Sequence, residues 1–157
     1  MSRTRINDKW LSNCTGEELR QMNRLRFKGD SMMYEDIILA PYHRDKIRIF
    51  LLKKDGAIVA WSGVITPISR AVRRKKPDYP TRGGTKYSPI YTYVSQAHRK
   101  SGFGKRLLRA TANYSKSKRY IPVAFWYDKK SNAFFVKAKQ HIPHLRIFDI
   151  SNWWDLI

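Results

Sequence analysis

Apolar and polar residues follow two different periods along the chain, and this pattern predicts both helices and strands. Residues 15–18 read Thr-Gly-Glu-Glu, which is typical of a helix capping box, and apolar residues then recur at helical spacing over 19–25. Residues 46–53 and 57–65 are rich in strand-forming side chains and flank Asp55-Gly56. Asp-Gly favours a tight turn with positive φ at both central residues, so this segment predicts a β-hairpin.

The second half of the chain shows the same change of period. Residues 90–94 form a short aromatic run that predicts a strand, and an apolar stripe over 103–114 predicts a helix after it. Residues 120–127 and 145–154 predict two further strands, with a short helix over 131–139 between them. Strands and helices in this order predict a mixed α/β fold.

The length and composition of the chain predict one domain over residues 1–157. A chain of 157 residues buries roughly 70% of its unfolded surface around a single core. Cys14 is the only cysteine, so no disulfide can form within the chain, and this favours a reducing compartment. Residues 1–9 are polar and no run approaches about 18 apolar residues, so we expect a cytoplasmic protein that does not associate with membranes.

Positive charge is the strongest anomaly in the composition. The chain has 32 Lys and Arg against 12 Asp and Glu, and its formal net charge of +20 attracts polyanions. A long basic loop is predicted over residues 67–88, where Asp78 is the only acid. It is a candidate surface for nucleic acid (tRNA or DNA) or an acidic protein, and a solvated surface without a partner is the alternative. Its candidate partner-binding residues are Arg70, Arg73, Arg74, Lys75, Lys76, Arg82 and Lys86.

Residues 99–104, between the aromatic strand and the helix after it, read Arg-Lys-Ser-Gly-Phe-Gly. The amides of a glycine-containing loop that opens a helix point outward and add to the positive end of the helix dipole. Glycine at 102 and 104 removes Cβ atoms that would hold a phosphate away from the backbone, and Arg99 adds a planar cationic donor. This segment therefore predicts an anion site suited to pyrophosphate.

The same segment resembles the acetyl-CoA-binding motif Arg/Gln-x-x-Gly-x-Gly/Ala of the GNAT superfamily of N-acetyltransferases. The resemblance implies a mixed, mainly antiparallel central sheet flanked by helices, with acetyl-CoA as the acyl donor. It also implies that the backbone of Tyr93 and Val94 binds the pantetheine arm and offers an amide to the thioester oxygen. The candidate residues for binding acetyl-CoA are Tyr93, Val94, Arg99, Lys100, Ser101, Gly102, Phe103, Gly104 and Lys105.

The sequence departs from the family at the general acid. The family commonly places a Tyr in the helix after the next strand, but here that position falls on residues 137–139, which read Lys-Ala-Lys. Tyr127 and Tyr114 are the candidate substitutes. Glu35 and His43 are the candidate general bases, because the family often borders its acceptor site between the first helix and the hairpin.

Two functions follow from these observations, and neither requires a metal. His141 and His144 are three residues apart but have no Cys or acidic cluster nearby, so we expect no metal. The first function is acetyl transfer from acetyl-CoA to a primary amine, on an acidic or nucleic-acid-linked acceptor such as aminoacyl-tRNA. The alternative is a catalytically impaired protein of the same fold that engages nucleic acid or another macromolecular partner through its basic surface. The missing Tyr favours the alternative, whereas the intact Arg99, Gly102 and Gly104 favour the enzyme.

Overall fold

The computed structural model describes residues 3–25, 44–66, 87–94, 98, 100–126 and 128–149, and these form a mixed α/β fold. The strands are β1 (Thr4–Trp10), β2 (Ile47–Lys54), β3 (Ala57–Ile65), β4 (Tyr87–Val94), β5 (Ile121–Trp126) and β6 (Arg146–Asp149). The α-helices are α1 (Gly16–Arg24), α2 (Phe103–Ser117) and α3 (Lys129–Lys139). Two short 3-10 helices lie at Leu11–Asn13 and Arg44–Lys46. The predicted fold class is confirmed.

All six described strands lie side by side in chain order, from β1 to β6. Neighbours from β1 to β4 are antiparallel, whereas β4 and β5, and then β5 and β6, are parallel. Parallel neighbours need a crossover connection, and α2 and α3 supply the two crossovers. Antiparallel pairs are therefore the majority among the strands that the structure describes, as the sequence led us to expect.

Two strands differ from the sequence-based prediction. β1 was not predicted, because within the described sheet it is an edge strand that pairs with β2 alone, and it has no buried side chain to give its sequence a clear period. β6 ends at Asp149, and residues 150–154 of the predicted last strand lie outside the described residues.

The predicted hairpin forms between β2 and β3. Asp55 has φ 51° and Gly56 has φ 85°, so both central residues of the turn adopt the positive φ that Asp-Gly favours. The register shifts between Leu52 and Lys53, where a bulge lets β3 carry one extra residue. This turn fixes the register of the two most deeply buried strands of the sheet.

The sheet separates two hydrophobic cores. On one face Trp61 of β3 is fully buried against α1, where its indole Nε1 donates a hydrogen bond to the carbonyl oxygen of Met22 at 3.2 Å. On the other face Leu107 and Leu108 of α2 pack with Ala138 of α3 over the central strands. Both faces are thus covered by helices, and no described helix is long and apolar enough to cross a bilayer.

Glu18 ties α1 to the edge of the sheet. Its amide donates to the side chain of Thr15 at 3.1 Å while its carboxylate accepts from the Thr15 amide at 2.9 Å, which completes the predicted capping box. The same carboxylate accepts from Lys9 of β1 at 2.9 Å and from Lys53 of β2 at 3.5 Å. Burial raises the pKa of Glu18, but the Thr15 amide and the Lys9 ammonium outweigh it, so that the pKa lies below its usual value.

Replacing Glu18 with Gln should therefore destabilise the protein in a pH-dependent way. At pH 7 the free energy of unfolding should fall by roughly 1.5–3 kcal/mol, because charged hydrogen bonds are lost. The folded pKa of Glu18 lies below the unfolded one, so its contribution is present above the unfolded pKa and disappears as the pH falls through the folded pKa. Urea denaturation of the parent protein and of Glu18→Gln should give a difference in the free energy of unfolding that becomes smaller as the pH falls below about 4.5. Glu17→Gln is the control, since Glu17 pairs only at the exposed surface, with Arg20 and Gln21, and an equal loss in both variants would contradict the prediction.

Candidate functional site

β4 changes its partner halfway along its length. Its first residues pair in parallel with β5, and this register ends at the pair Pro89 and Val123. From Ile90 to Val94 its only partner among the described strands is β3, while β5 continues to Trp126 beside β6. Proline has no amide hydrogen to contribute to a sheet, so Pro89 stands where the ladder between β4 and β5 stops. The two strands therefore part toward their carboxyl ends, and one backbone edge of β4 faces the gap.

The amino end of α2 follows this gap in the chain. Gly102 is the residue that precedes the helix, with φ 80°, and Lys100 also has positive φ at 66°. The first bond within the helix runs from the Arg106 amide to the Gly102 carbonyl at 3.0 Å, so helix geometry gives the amides of residues 103–105 no acceptor within α2. No acidic residue lies in the first turn. Three amides, the positive end of the helix dipole and nearby lysines make this end of α2 suited to an anion.

The two glycines of the motif have different surroundings. A Cβ placed on Gly102 would meet no atom within 4 Å, so this side of the loop opens to whatever approaches it. A Cβ on Gly104 would instead point toward Phe134 at 3.5 Å and Val94 at 3.6 Å, in ordinary van der Waals contact. The missing side chain of Gly104 thus faces α3 and β4, and the expectation that both glycines make room for phosphate stays a prediction.

Aromatic side chains flank the amino end of α2. The rings of His98 and Phe103 are stacked, with 5.9 Å between their centroids and 25° between their planes. Phe134 of α3 lies beside Gly104, yet 42% of its surface is exposed, and it also contacts Phe135 edge to face. Phe134 was not predicted as a site residue, because the pattern of a short helix that contains adjacent Phe134 and Phe135 does not tell which ring faces a ligand and which packs in the core. The structure adds it to the candidate site as an exposed apolar wall.

The structure brings together only part of the predicted site. Lys100, Ser101 and Gly102 are exposed at the amino end of α2, and Phe103, Gly104 and Lys105 are half-buried in its first turn. Val94 ends β4 beside Gly104, and the backbone of Tyr93 pairs with Trp61 on β3. Several predicted residues lie outside the described residues, and their roles stay predictions: Arg99, Glu35, His43, Tyr127 and the basic residues Arg70, Arg73, Arg74, Lys75, Lys76, Arg82 and Lys86.

The family position of the general acid carries no Tyr. In α3, Lys137 and Lys139 are exposed and Ala138 is buried in the core that also contains Leu107 and Leu108. Tyr114 is a packing residue, because its ring meets Phe50 edge to face at 5.6 Å, and burial raises the pKa of its hydroxyl. Among the described residues, no group of three His, Cys, Asp or Glu side chains has the arrangement of a metal site.

Comparison with known proteins agrees with this geometry. The model of the acetyltransferase (GNAT) family matches residues 16–138, and the chain belongs to that family. An N-acetyltransferase from Staphylococcus aureus Mu50 is 16% identical with a TM-score of 0.60, over 90% of this chain and 82% of that one. Glucosamine-6-phosphate N-acetyltransferase from Arabidopsis thaliana is 16% identical with a TM-score of 0.56, over 87% and 90%. The aminoglycoside N-acetyltransferase AAC(6′)-Iy, in complex with CoA, is 16% identical with a TM-score of 0.55, over 90% and 88%.

At these identities the likeness to solved structures shows the fold alone. A search of curated proteins found no match to the chain.

The surroundings of Gly104 predict that Gly104→Ala is tolerated. The new methyl group would make ordinary contacts with Phe134 and Val94, and Ala in place of Gly favours the helix by about 0.5–1 kcal/mol. Thermal unfolding should therefore show an unchanged or raised Tm. Gly104→Leu is the control, because its larger side chain must displace the same neighbours, and we expect a lowered Tm for it. If Gly104→Ala loses as much stability as Gly104→Leu, the site is tighter than described.

Proposed function

We propose that this chain is an N-acetyltransferase that moves an acetyl group from acetyl-CoA to a primary amine. The observation that carries this proposal is the parting of β4 from β5 beside the amino end of α2. A backbone edge and a set of helix amides then border the same opening. One edge suits an extended chain that bears amides, such as pantetheine, and the helix end suits pyrophosphate.

The described residues are suited to binding acetyl-CoA, the acyl donor. The loop before α2 has two positive φ values, an open side at Gly102 and no acid in the first helical turn. Amides of residues 103–105, with Lys100, Ser101 and Arg99, would hold the phosphates of CoA. The backbone of Tyr93 and Val94 would bind the pantetheine arm, and Phe134 would shield its apolar parts from water.

When bound, acetyl-CoA supplies an acetyl group as a thioester. Transfer forms a bond between the acceptor nitrogen and the acetyl carbon, breaks the carbon–sulfur bond and releases CoA as a thiol. The acceptor nitrogen must lose a proton, and we assign that step to Glu35 or His43. The departing sulfur must gain one, and we assign that step to Tyr127, since residues 137–139 offer no Tyr. A positioned backbone amide at Val94 would stabilise charge on the carbonyl oxygen, a contribution of about 10²-fold to 10³-fold in rate.

The net charge of the chain limits the kinds of acceptor molecule that it attracts. A net charge of +20 repels a cationic amine such as a polyamine or a basic peptide and attracts an acidic carrier. We therefore propose an amine on an acidic or nucleic-acid-linked acceptor in the cytoplasm, such as aminoacyl-tRNA. Residues 67–88 would contribute the basic contacts to that acceptor.

A second candidate is a catalytically impaired binding protein of the same fold. The observation that favours it is α3, which presents Lys137, Ala138 and Lys139 where the family commonly has its general acid. Such a protein would engage nucleic acid or another macromolecular partner through its basic surface without turnover. Thiol release from acetyl-CoA in the presence of aminoacyl-tRNA or other amines separates the two, because only the enzyme releases CoA in proportion to acetylated product.

Changing Gly102 tests the donor site directly. Gly102→Asn and Gly102→Asp are nearly equal in size, and both residues tolerate positive φ, so the two variants differ mainly in one negative charge. Calorimetry should show that Asp lowers acetyl-CoA affinity by about tenfold or more relative to Asn, because the charge faces the phosphates. Equal affinities in the two folded variants would contradict the placement of phosphate at this loop.

Neutralising Arg73, Arg74, Lys75 and Lys76 together tests the acceptor. Each lost phosphate contact should reduce the slope of log affinity against log salt by roughly 0.7–0.9, so tRNA binding should weaken and depend less on salt. Acetyl-CoA affinity should change little. Fluorescence titration of tRNA across a salt series makes the measurement, and identical curves for parent and variant would remove this loop from the proposal.

A further inference from the structure

The described surface contains a second positively charged pocket, at the end of α2 opposite the proposed acetyl-CoA site. It has a volume of about 390 Å³ and opens to solvent between the last turns of α2 and α3 and the beginnings of β5 and β6. Its polar lining consists of Lys116, Lys139, Arg146, His144 and Tyr120, and its remaining lining is apolar. Since α2 has 15 residues, this pocket lies about 22 Å along the helix from the amino end.

The charges that line this pocket lack acidic partners. Lys116, Lys139 and Arg146 are exposed, and none of them pairs with a carboxylate within the described ranges of the chain. Between Lys100 and Arg146 the sequence contains twelve Lys and Arg residues and a single acid, Asp128. Asp128 begins α3, at the other end of that helix from Lys139. Nothing in this part of the chain therefore neutralises the pocket.

Helix dipoles do not account for these charges. Lys116 and Lys139 lie in the last turns of α2 and α3, where basic side chains commonly offset the negative end of a helix. Each helix end amounts to roughly half a negative charge, so two ends offset about one of the three positive charges. Arg146 belongs to neither helix, and an excess of about two positive charges remains at the pocket.

The ring of His144 is a second, independent observation, because it lacks a hydrogen-bond partner among the described residues. Its ring nitrogen Nε2 is shielded from solvent and has no hydrogen-bond partner in the described part of the structure. Buried polar atoms in folded proteins almost always have a partner, so an atom without one needs an explanation. His144 is also one of the residues that line the pocket.

The turn after α2 places another cation, Arg119, in a backbone conformation that is unfavourable for Arg. The Arg119 amide bonds to the Lys116 carbonyl at 3.0 Å, and the Tyr120 amide bonds to the Ser115 carbonyl at 2.8 Å, which together form a Schellman motif. Arg119 occupies the left-handed position of this motif, with φ 62°, where Gly is the usual residue. An exposed Arg therefore stands beside the pocket where backbone geometry favours Gly.

We propose that this pocket binds a backbone phosphate of a polynucleotide. Three cations that have no acidic partner among the described residues suit a phosphate, Tyr120 offers an aromatic surface to an adjacent base, and Arg119 extends the charge to a neighbouring phosphate. The site is separate from acetyl transfer and requires no catalysis. The distance of about 22 Å between the ends of α2 corresponds to six or seven base-pair steps, so one nucleic acid can reach both ends.

Two histidines allow both ends of α2 to be followed in one sample. The chain has four histidines, of which His98 stacks on Phe103 beside the proposed acetyl-CoA loop and His144 lines this pocket. In protein labelled with ¹⁵N-histidine, a single-stranded RNA of twelve nucleotides should shift the His144 ring signals. Acetyl-CoA should shift those of His98. Because the two reporters are separate, failure of this proposal is distinguishable from failure of the proposed acetyl-CoA site.

Charge variants measure the contribution of the pocket. Lys116→Gln with Arg146→Gln should lower RNA affinity about tenfold at low salt and reduce the slope of log affinity against log salt by about 1.4, the value for two lost single-strand contacts. Arg5→Gln with Arg24→Gln removes the same charge from exposed positions on β1 and α1 and should have little effect. Arg119→Gly should weaken RNA binding while leaving the Tm unchanged or raised, because Gly suits φ 62°.

The outcomes separate a polymer from a small ligand. The proposal is supported if RNA shifts His144 and AMP or inorganic phosphate does so only at much higher concentration. It is overturned if AMP binds at the pocket as tightly as RNA, since the ligand is then a free nucleotide. It is also overturned if the pocket variant and the charge-matched control bind RNA equally, or if RNA leaves His144 unchanged.

Discussion

The structure depends on the way β4 divides its hydrogen bonds between two partners. Within the part of the chain that the structure describes, its amino half joins the parallel β5 and its carboxyl half joins the antiparallel β3 alone. A strand that held both partners along its whole length would leave no backbone edge for a ligand, because every ladder position would be filled. Because of this separation, backbone hydrogen bonds between β4 and β5 are lost at the centre of the sheet. The two cores, one on each face, hold β3 and β5 in place on either side of it.

α2 links this separation to the rest of the molecule. Its buried residues Leu107, Leu108 and Ala112 pack on the sheet, and two buried hydroxyl groups, Ser115 and Ser88, join it to β4 at 2.8 Å. These contacts hold the amino end of the helix in a fixed place relative to the gap. Gly104 brings that end close to Phe134 and Val94, whereas Gly102 leaves the opposite side open. Gly104 therefore allows close packing at the helix end, and Gly102 leaves space for a ligand to approach.

Charge is distributed so that both ends of α2 are positive. At the amino end the positive charges of Lys100 and Lys105 add to the positive end of the helix dipole. At the carboxyl end the dipole is negative, and the positive charges of Lys116 and Arg119 outweigh it. Mutual repulsion among these residues destabilises the folded state unless an anion is present. Acidic ligands at both ends would relieve that repulsion, and bound ligand would then stabilise the fold.

The sequence by itself determined the elements whose signals are local. The capping box at Thr15, the Asp55-Gly56 turn and the glycine loop before α2 each follow from a few adjacent residues, because caps and tight turns depend on short-range geometry. The family resemblance also came from such a local motif. These features therefore needed no knowledge of the rest of the chain.

Only the tertiary structure decided what depends on residues far apart in the chain. The parting of β4 from β5, the contact of Phe134 with Gly104, and the basic pocket formed by Lys116, Lys139 and Arg146 each join separate elements. Pro89 marks the parting in the sequence, but a proline alone does not say which neighbouring strand is lost. Packing of the helices on the sheet sets these distances, and the sequence pattern of one element does not contain them.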